Sequence, residues 1–240
     1  MFEWLRTIAT MLDSKKMAAI ALENENIRRY GAQDLSEFDL DQTARQPTAT
    51  EIRGLATGAI LFFVGANPIK LLPRIKPEPL AERKAATADW WGISNTEEAL
   101  DILQWLREEG HRHKYQSQLK SQPMHWQALF VDNPFLKNRT VTNVAAWDYA
   151  RQVNVARWCY DYDYLTWEEA WQYIDDATQA ALRTYDSWDS FAAGFVAGRI
   201  MWAPDNDMHD HIAETARYLI EARYSPWRDI PWQLYPVPGD

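Results

Sequence analysis

The sequence predicts an all-α fold: a single compact helical domain of about six to eight helices, with an extended proline-rich connector and a Pro/Trp-rich C-terminal tail. Three observations carry that expectation. Apolar residues recur at helical rather than alternating spacing along most of the 240 residues. Capping residues stand where the periodic stretches begin, most clearly Thr166 with Glu169 three positions on, and Ser187 ahead of a further run. Glycines and prolines, which interrupt helices, fall between the stretches.

Taken in order, Phe2 to Tyr30 reads as a helix, with Trp4, Ile8, Met11 and Leu12 on one face and Gly31 as its stop. Residues 32–50 are polar, with Pro47 and several Thr, and read as a loop with at most a short helix. A second helix is expected over Glu51 to Ala66, ended by Asn67-Pro68. These make an N-terminal helical part, 1–66. Prolines at 68, 73, 77 and 79, among Lys70, Arg74, Lys76, Arg83 and Lys84, predict an extended connector over 67–89.

The helical core is expected over 90–225. Residues 94–110 carry a start in Ser94, Asn95 or Thr96, acids Glu97 and Glu98 in the first turn, and a stop at Gly110. The region 113–140 is polar and shows no clear period. Val144 to Tyr160 is apolar on most sides, which predicts a central, largely buried helix. Trp167, Ala170, Trp171, Ile174, Ala177 and Ala181 mark the next helix, and Trp188, Phe191, Phe195 and Trp202 the one after. In the latter, Gly194 and Gly198 stand beside Ala193 and Ala197, a spacing that lets a neighbouring helix come close. A last helix is expected over Asp207 to Arg223. The tail, 226–240, holds Pro226, Pro231, Pro236 and Pro238; it is expected to be non-helical and pinned to the body by Trp227, Trp232 and Tyr235.

Thirteen tryptophans predict a core and interfaces rich in aromatic rings. Cys159 is the lone cysteine and reads as a buried thiol; an intramolecular disulfide is impossible, which suits a reducing compartment. The N-terminus lacks a signal-peptide layout, so the expected location is cytoplasmic. The most apolar run, Ala59 to Val64, is too short to span a bilayer, so no membrane partner is expected. The net charge of −9 lies wholly in the C-terminal part: residues 1–139 hold 18 acidic and 18 basic side chains, residues 140–240 hold 16 acidic and 7 basic. That sign excludes an ordinary nucleic-acid binder and suits a basic protein partner.

Several short motifs fall in a fixed order. The first block is Trp91-Gly92-Ile93, Glu98-Ala99, Trp105-Leu106 and Gly110-His111-Arg112. The second is Ala146-Trp147-Asp148 with Arg151, then Ala156-Arg157-Trp158 and Glu169-Ala170-Trp171. The third is Ser187-Trp188 followed by Gly198 and Trp202. In this order and spacing, over 91–202, they resemble the bacterial domain of unknown function 1266 family. The resemblance implies no agreed activity. Members encoded near secretion and polymorphic-toxin loci imply immunity or accessory roles for some of them, an argument from company.

Candidate sites follow from the residues themselves. Asp148 and Arg151 lie three apart on the apolar central helix and are expected to form a structural ion pair that fixes helix register; a polar functional site is the alternative. His111 and His113 flank Arg112 after a helix end, where a role beside the last carbonyls is expected. Asp205, His209 and His211 are the candidate metal ligands, set against the reading of ordinary residues at a helix start. No catalytic residue and no cofactor is assigned.

Three functions stay open. The leading expectation is a non-enzymatic interaction protein, specifically an immunity protein that neutralises a cognate toxin domain. It would bind through an acidic C-terminal surface, with Asp175, Asp176 and Asp186 as contact residues and exposed Trp or Tyr anchors ringed by acids. The alternatives are a hydrolase or metal-dependent enzyme using Asp148/Arg151 or Asp205–His211, and a structural or regulatory oligomer.

Overall fold

The computed structural model describes residues 47–64, 80–204, 208–221 and 225–232. The expected helix over Phe2–Tyr30, most of the loop over 32–50 and the four connector prolines lie outside that set, as do Asp205, Asp207, Arg223 and Tyr235. Among the described residues every regular element is helical. No helix there is long and apolar enough to cross a membrane.

α1 (Ala49–Thr57) opens on a capping box: Thr48 Oγ1 accepts from the Glu51 N–H, and the Glu51 carboxylate accepts from the Thr48 N–H at 2.7 Å. The expected single helix over Glu51–Ala66 is broken at Gly58, after which α2 (Ala59–Val64) begins. The break has a packing reason. A β-carbon at Gly58 would lie 2.7 Å from the Phe62 ring and 2.9 Å from Val153, so only glycine lets this corner sit against the central helix.

The connector is corrected by α3 (Leu80–Trp91). Its sequence, from Leu80 on, contains neither proline nor glycine and is rich in Ala, Glu, Arg and Lys, so helix propensity returns once Pro79 has passed. Gly92, at φ +67°, ends it. α4 (Thr96–Glu108) is capped by Asn95, whose Oδ1 accepts from the Glu98 N–H at 3.0 Å, and Gly110 follows it at φ +58°. The region without clear period holds two helices, α5 (Arg112–Ser121) and α6 (Pro123–Val131). Pro123 at the first turn of α6 separates them. Their periodicity was blurred because α5 buries only Tyr115 and Leu119, and α6 only Trp126 and Phe130.

The remaining elements are α7 (Ala146–Asp161), α8 (Trp167–Thr184), α9 (Trp188–Trp202), α10 (His209–Glu221) and α11 (Pro226–Asp229). The capping box at Thr166/Glu169 and the cap at Ser187 form as expected, and the latter also closes a box with Ser190. One turn of helix at Pro226 corrects the reading of a non-helical tail; proline is tolerated there because its missing N–H falls in the first turn.

α7 is the axis of the molecule, and α8, α4, α9, α1 and α2 all pack on it. All but one of its residues are buried. Its own N-terminus lacks a local side-chain cap. The hydroxyl of Tyr185, at the end of α8, supplies one: it accepts from the Ala146 N–H at 2.9 Å and donates to the Asn143 carbonyl at 3.1 Å. Gly198 sets the approach of α9, because a β-carbon there would lie 2.7 Å from Trp147 Cβ and 2.8 Å from the Val144 carbonyl. Trp147 and Trp188 are buried, while Trp158 and Trp202 are half-buried against the same core. The C-terminal segment closes over one end. Trp188 stacks on Trp227 at 4.8 Å between ring centroids and meets Trp232 edge-on at 4.6 Å.

Candidate functional site

The motif residues that lie tens of positions apart in sequence converge at one place, where the start of α5 and the end of α3 meet α7. Asp148 is wholly buried and pairs with Arg151 one turn on. Three apart on a helix is neighbour spacing, so α7 alone presents the two groups to each other. The tertiary fold completes the shell. Asp148 Oδ2 accepts from the Arg112 N–H at 2.6 Å, and the Arg112 guanidinium stands 3.6 Å away. That guanidinium donates to the carbonyls of Leu106 and Arg107, at 2.5 and 2.7 Å, and so satisfies the end of α4.

Arg151 donates to His111 Nδ1 at 2.8 Å and to the Trp147 carbonyl at 3.3 Å. Its guanidinium also lies 4.7 Å from the Trp147 ring centre and 5.4 Å from that of Trp91. Burial pulls Arg151 below its ordinary value, and the Asp148 charge pushes it back up. Since a guanidinium only donates, His111 Nδ1 is an acceptor and the imidazole proton sits on Nε2. Burial first, then the Arg151 charge, lowers His111 to about 4, so the ring is neutral near pH 7. The expectation of a helix-end histidine beside the last carbonyls is therefore corrected: Arg112 takes those carbonyls, and His111 turns to Arg151. His113 is exposed on α5.

Aromatic rings line the outer side of this centre. Trp105 meets His111 edge-on at 5.0 Å, and Tyr115 stacks on it at 5.9 Å. Trp91 and Trp105 are half-buried, and Trp90 is 42% exposed. Exposed acids lie near them along the chain: Asp89 precedes Trp90, Glu97 opens α4, and on α4 Asp101 and Glu108 stand one turn either side of Trp105. α4 is tied to α8 here, because Arg107 of α4 bridges to Asp176 at 3.2 Å and lies over the Tyr173 ring. The sequence expectation named only C-terminal acids, Asp175, Asp176 and Asp186, and did not single out Asp101 and Glu108 beside Trp105. The signal was the one-turn placement of Asp101 and Glu108 about Trp105.

The three expected contact acids fare differently. Asp175 is exposed on α8. Asp176 is half-buried in the Arg107 bridge. Asp186 is exposed, but its carboxylate accepts from the Ser187 and Ser190 hydroxyls, which hold it below the usual carboxylate range and commit it to the start of α9. Among the described residues of 140–232, Arg151, Arg157 and Arg199 are buried, as are the acids Asp148 and Asp161, while Asp163, Glu168, Asp210, Glu214 and Glu221 are exposed.

Of the metal candidates, Asp205 lies outside the described residues. His209 Nε2 donates to the Ala203 carbonyl at 2.8 Å, and His211 is two positions on, where an α-helix turns side chains apart. Among the described residues no three His, Cys, Asp or Glu side chains group as a metal site. Cys159 is a buried thiol pushed up to about 12 by burial.

The chain matches the model of a family described as "Protein of unknown function (DUF1266)" over residues 88–232, more than half its length. It is 23% identical over 162 residues to "Uncharacterized protein YbeR" of Escherichia coli (strain K12), a match covering 60% of this chain and 68% of that protein. No solved structure matches it.

Proposed function

The chain belongs to the DUF1266 family, and from that premise we propose that it is a non-enzymatic interaction protein, specifically an immunity protein that binds a cognate toxin domain. The observation that carries this reading is the partial exposure of Trp90, Trp91 and Trp105 together with the exposed acids Asp89, Glu97, Asp101 and Glu108 near them along the chain and Asp175 on α8. Partly exposed tryptophans make good binding anchors, and surrounding charge steers an oppositely charged partner onto them.

The polar centre beneath supports the same reading. Asp148, Arg151 and Arg112 spend their hydrogen bonds on one another, on His111 and on backbone groups. His111, with Nδ1 committed to Arg151, is a poor general base. The cluster acts as a lock that holds the ends of α3 and α4 against α7, so that the tryptophans above it are fixed before a partner arrives. Preorganisation of this kind lowers the cost of binding.

The test is co-expression with the product of a neighbouring toxin-domain gene, followed by binding kinetics at two salt concentrations. Association should slow as salt rises while dissociation changes less. Asp101→Lys, Glu108→Lys and Asp175→Lys should each slow association without lowering thermal stability. A salt-independent association rate, or turnover of a substrate by the purified protein, would overturn the proposal.

A further inference from the structure

Against the acidic balance of the rest of the surface, residues 112–139 hold five basic side chains and the lone acid Asp132. Two of the five are committed to the body: Arg112 to the polar centre, and Arg139 to Asp189 of α9 at 2.8 Å. Lys114, Lys120 and Lys137 are exposed; along the chain Lys120 precedes α6 and Lys137 follows it, with Asp132 exposed between α6 and Lys137.

α6 is apolar on two opposite sides. Trp126 and Phe130 are buried, with Leu129 half-buried beside them. Met124, Ala128 and Val131 recur at i, i+4 and i+7 on the other side and are exposed, Met124 at 86% and Val131 at 43%. Among the described residues this second stripe stays exposed instead of packing on another helix. It is the anchor spacing by which one amphipathic helix receives another, with the small Ala128 at its middle allowing close approach and the pliable Met124 at its end.

We infer that the outer face of α6 is a docking site for an acidic amphipathic helix of a partner protein. Its apolar residues would lie along Met124, Ala128 and Val131, and its carboxylates would meet Lys120 and Lys137. Charge decides the class of helix: a basic one would be repelled here and drawn to the acidic surface instead. Magnitude decides against a lipid surface. The stripe offers fewer apolar carbons than one myristoyl chain, whose own hold on a membrane is marginal. The site is distinct from the tryptophan surface of α4 and opposite to it in charge, so the molecule could hold two partners at once.

The test uses the full chain and two synthetic 18-residue helices with the same leucine stripe, one with glutamates on its flanks and one with lysines, together with phosphatidylserine vesicles. Anisotropy of the labelled glutamate peptide should report binding that weakens as salt rises. The double variant Met124→Glu/Val131→Glu should weaken it at least tenfold, and Lys120→Glu/Lys137→Glu several-fold, with unchanged helical circular dichroism and melting temperature. Asp101→Lys and Glu108→Lys should leave it unchanged, which separates this site from the toxin-binding reading. Equal binding of both peptides, preference for vesicles over the glutamate peptide, self-association abolished by Met124→Glu, or failure of the glutamate peptide to bind would each overturn the inference.

Discussion

Gly110 stands so close to the Asp148 carboxylate that a β-carbon on it would overlap Oδ2, and would also lie 2.7 Å from the Arg112 guanidinium. The same glycine sits at φ +58°, in the left-handed region. One position thus ends α4, frees the turn into α5, and lets a buried carboxylate reach the backbone of that turn. The Gly110→Ala variant should lose about 1–2 kcal/mol from the backbone alone, with the displacement of Asp148 in addition. Denaturant unfolding measures the loss, and a variant as stable as the parent would refute the close approach.

Asp148 and Arg151 should behave as one unit. Asp148→Ala or Arg151→Ala each leaves a buried charge without its partner and should cost about 3–5 kcal/mol. The double variant should cost less than the two together, because it removes both charges. A double-mutant cycle reads the coupling directly. Strict additivity would show that the pair does not hold the helices in register.

Trp227 ties the C-terminal segment to the opposite end of the chain. Its ring stacks on Trp188, and its Nε1–H donates to the Ala56 carbonyl of α1 at 2.7 Å. Trp227→Ala should cost about 3–5 kcal/mol, as for other buried large-to-small changes. It should also raise hydrogen exchange at the end of α1. A loss under 1 kcal/mol would mean that the segment is ornamental to stability.

Stability should fall on mild acidification. His111 is held at about 4 in the folded chain, below the value of about 6.5 expected when unfolded. Between those values the unfolded chain binds more protons, so stability is lost as the pH falls from about 6.5 towards 4. Burial lowers His209 and His211 in the same direction, so the parent slope reflects all three. His111→Asn, which keeps an acceptor near Nδ1 for Arg151, should flatten the slope relative to the parent. The check is the urea midpoint measured across that interval; an unchanged slope in the variant would remove His111 from the account.

Much of the fold was legible in the amino-acid order because its signals are local. The capping box of Thr166 and Glu169, the cap at Ser187, the stop at Gly110 and the all-round apolar pattern of α7 each need only a few neighbouring residues, and each stands in the structure where the sequence put it. The Asp148–Arg151 pair was legible for the same reason, being one turn apart on a single helix. The sequence also determined the charge imbalance between the two parts of the chain.

What only the tertiary structure decided are the relationships between distant segments. α3 was hidden by the prolines before it, and α5 and α6 by faces that bury only two residues each. Nothing local shows that Tyr185 caps α7, that Arg112 rather than His111 satisfies the end of α4, or that Trp227 reaches Ala56. Nor does composition reveal that Arg151, Arg157 and Arg199 turn inward. The physical reason is common to all of these. Backbone periodicity and caps are set by interactions within a turn or two, whereas the partner of a buried polar group is whichever segment the packing of helices brings to it.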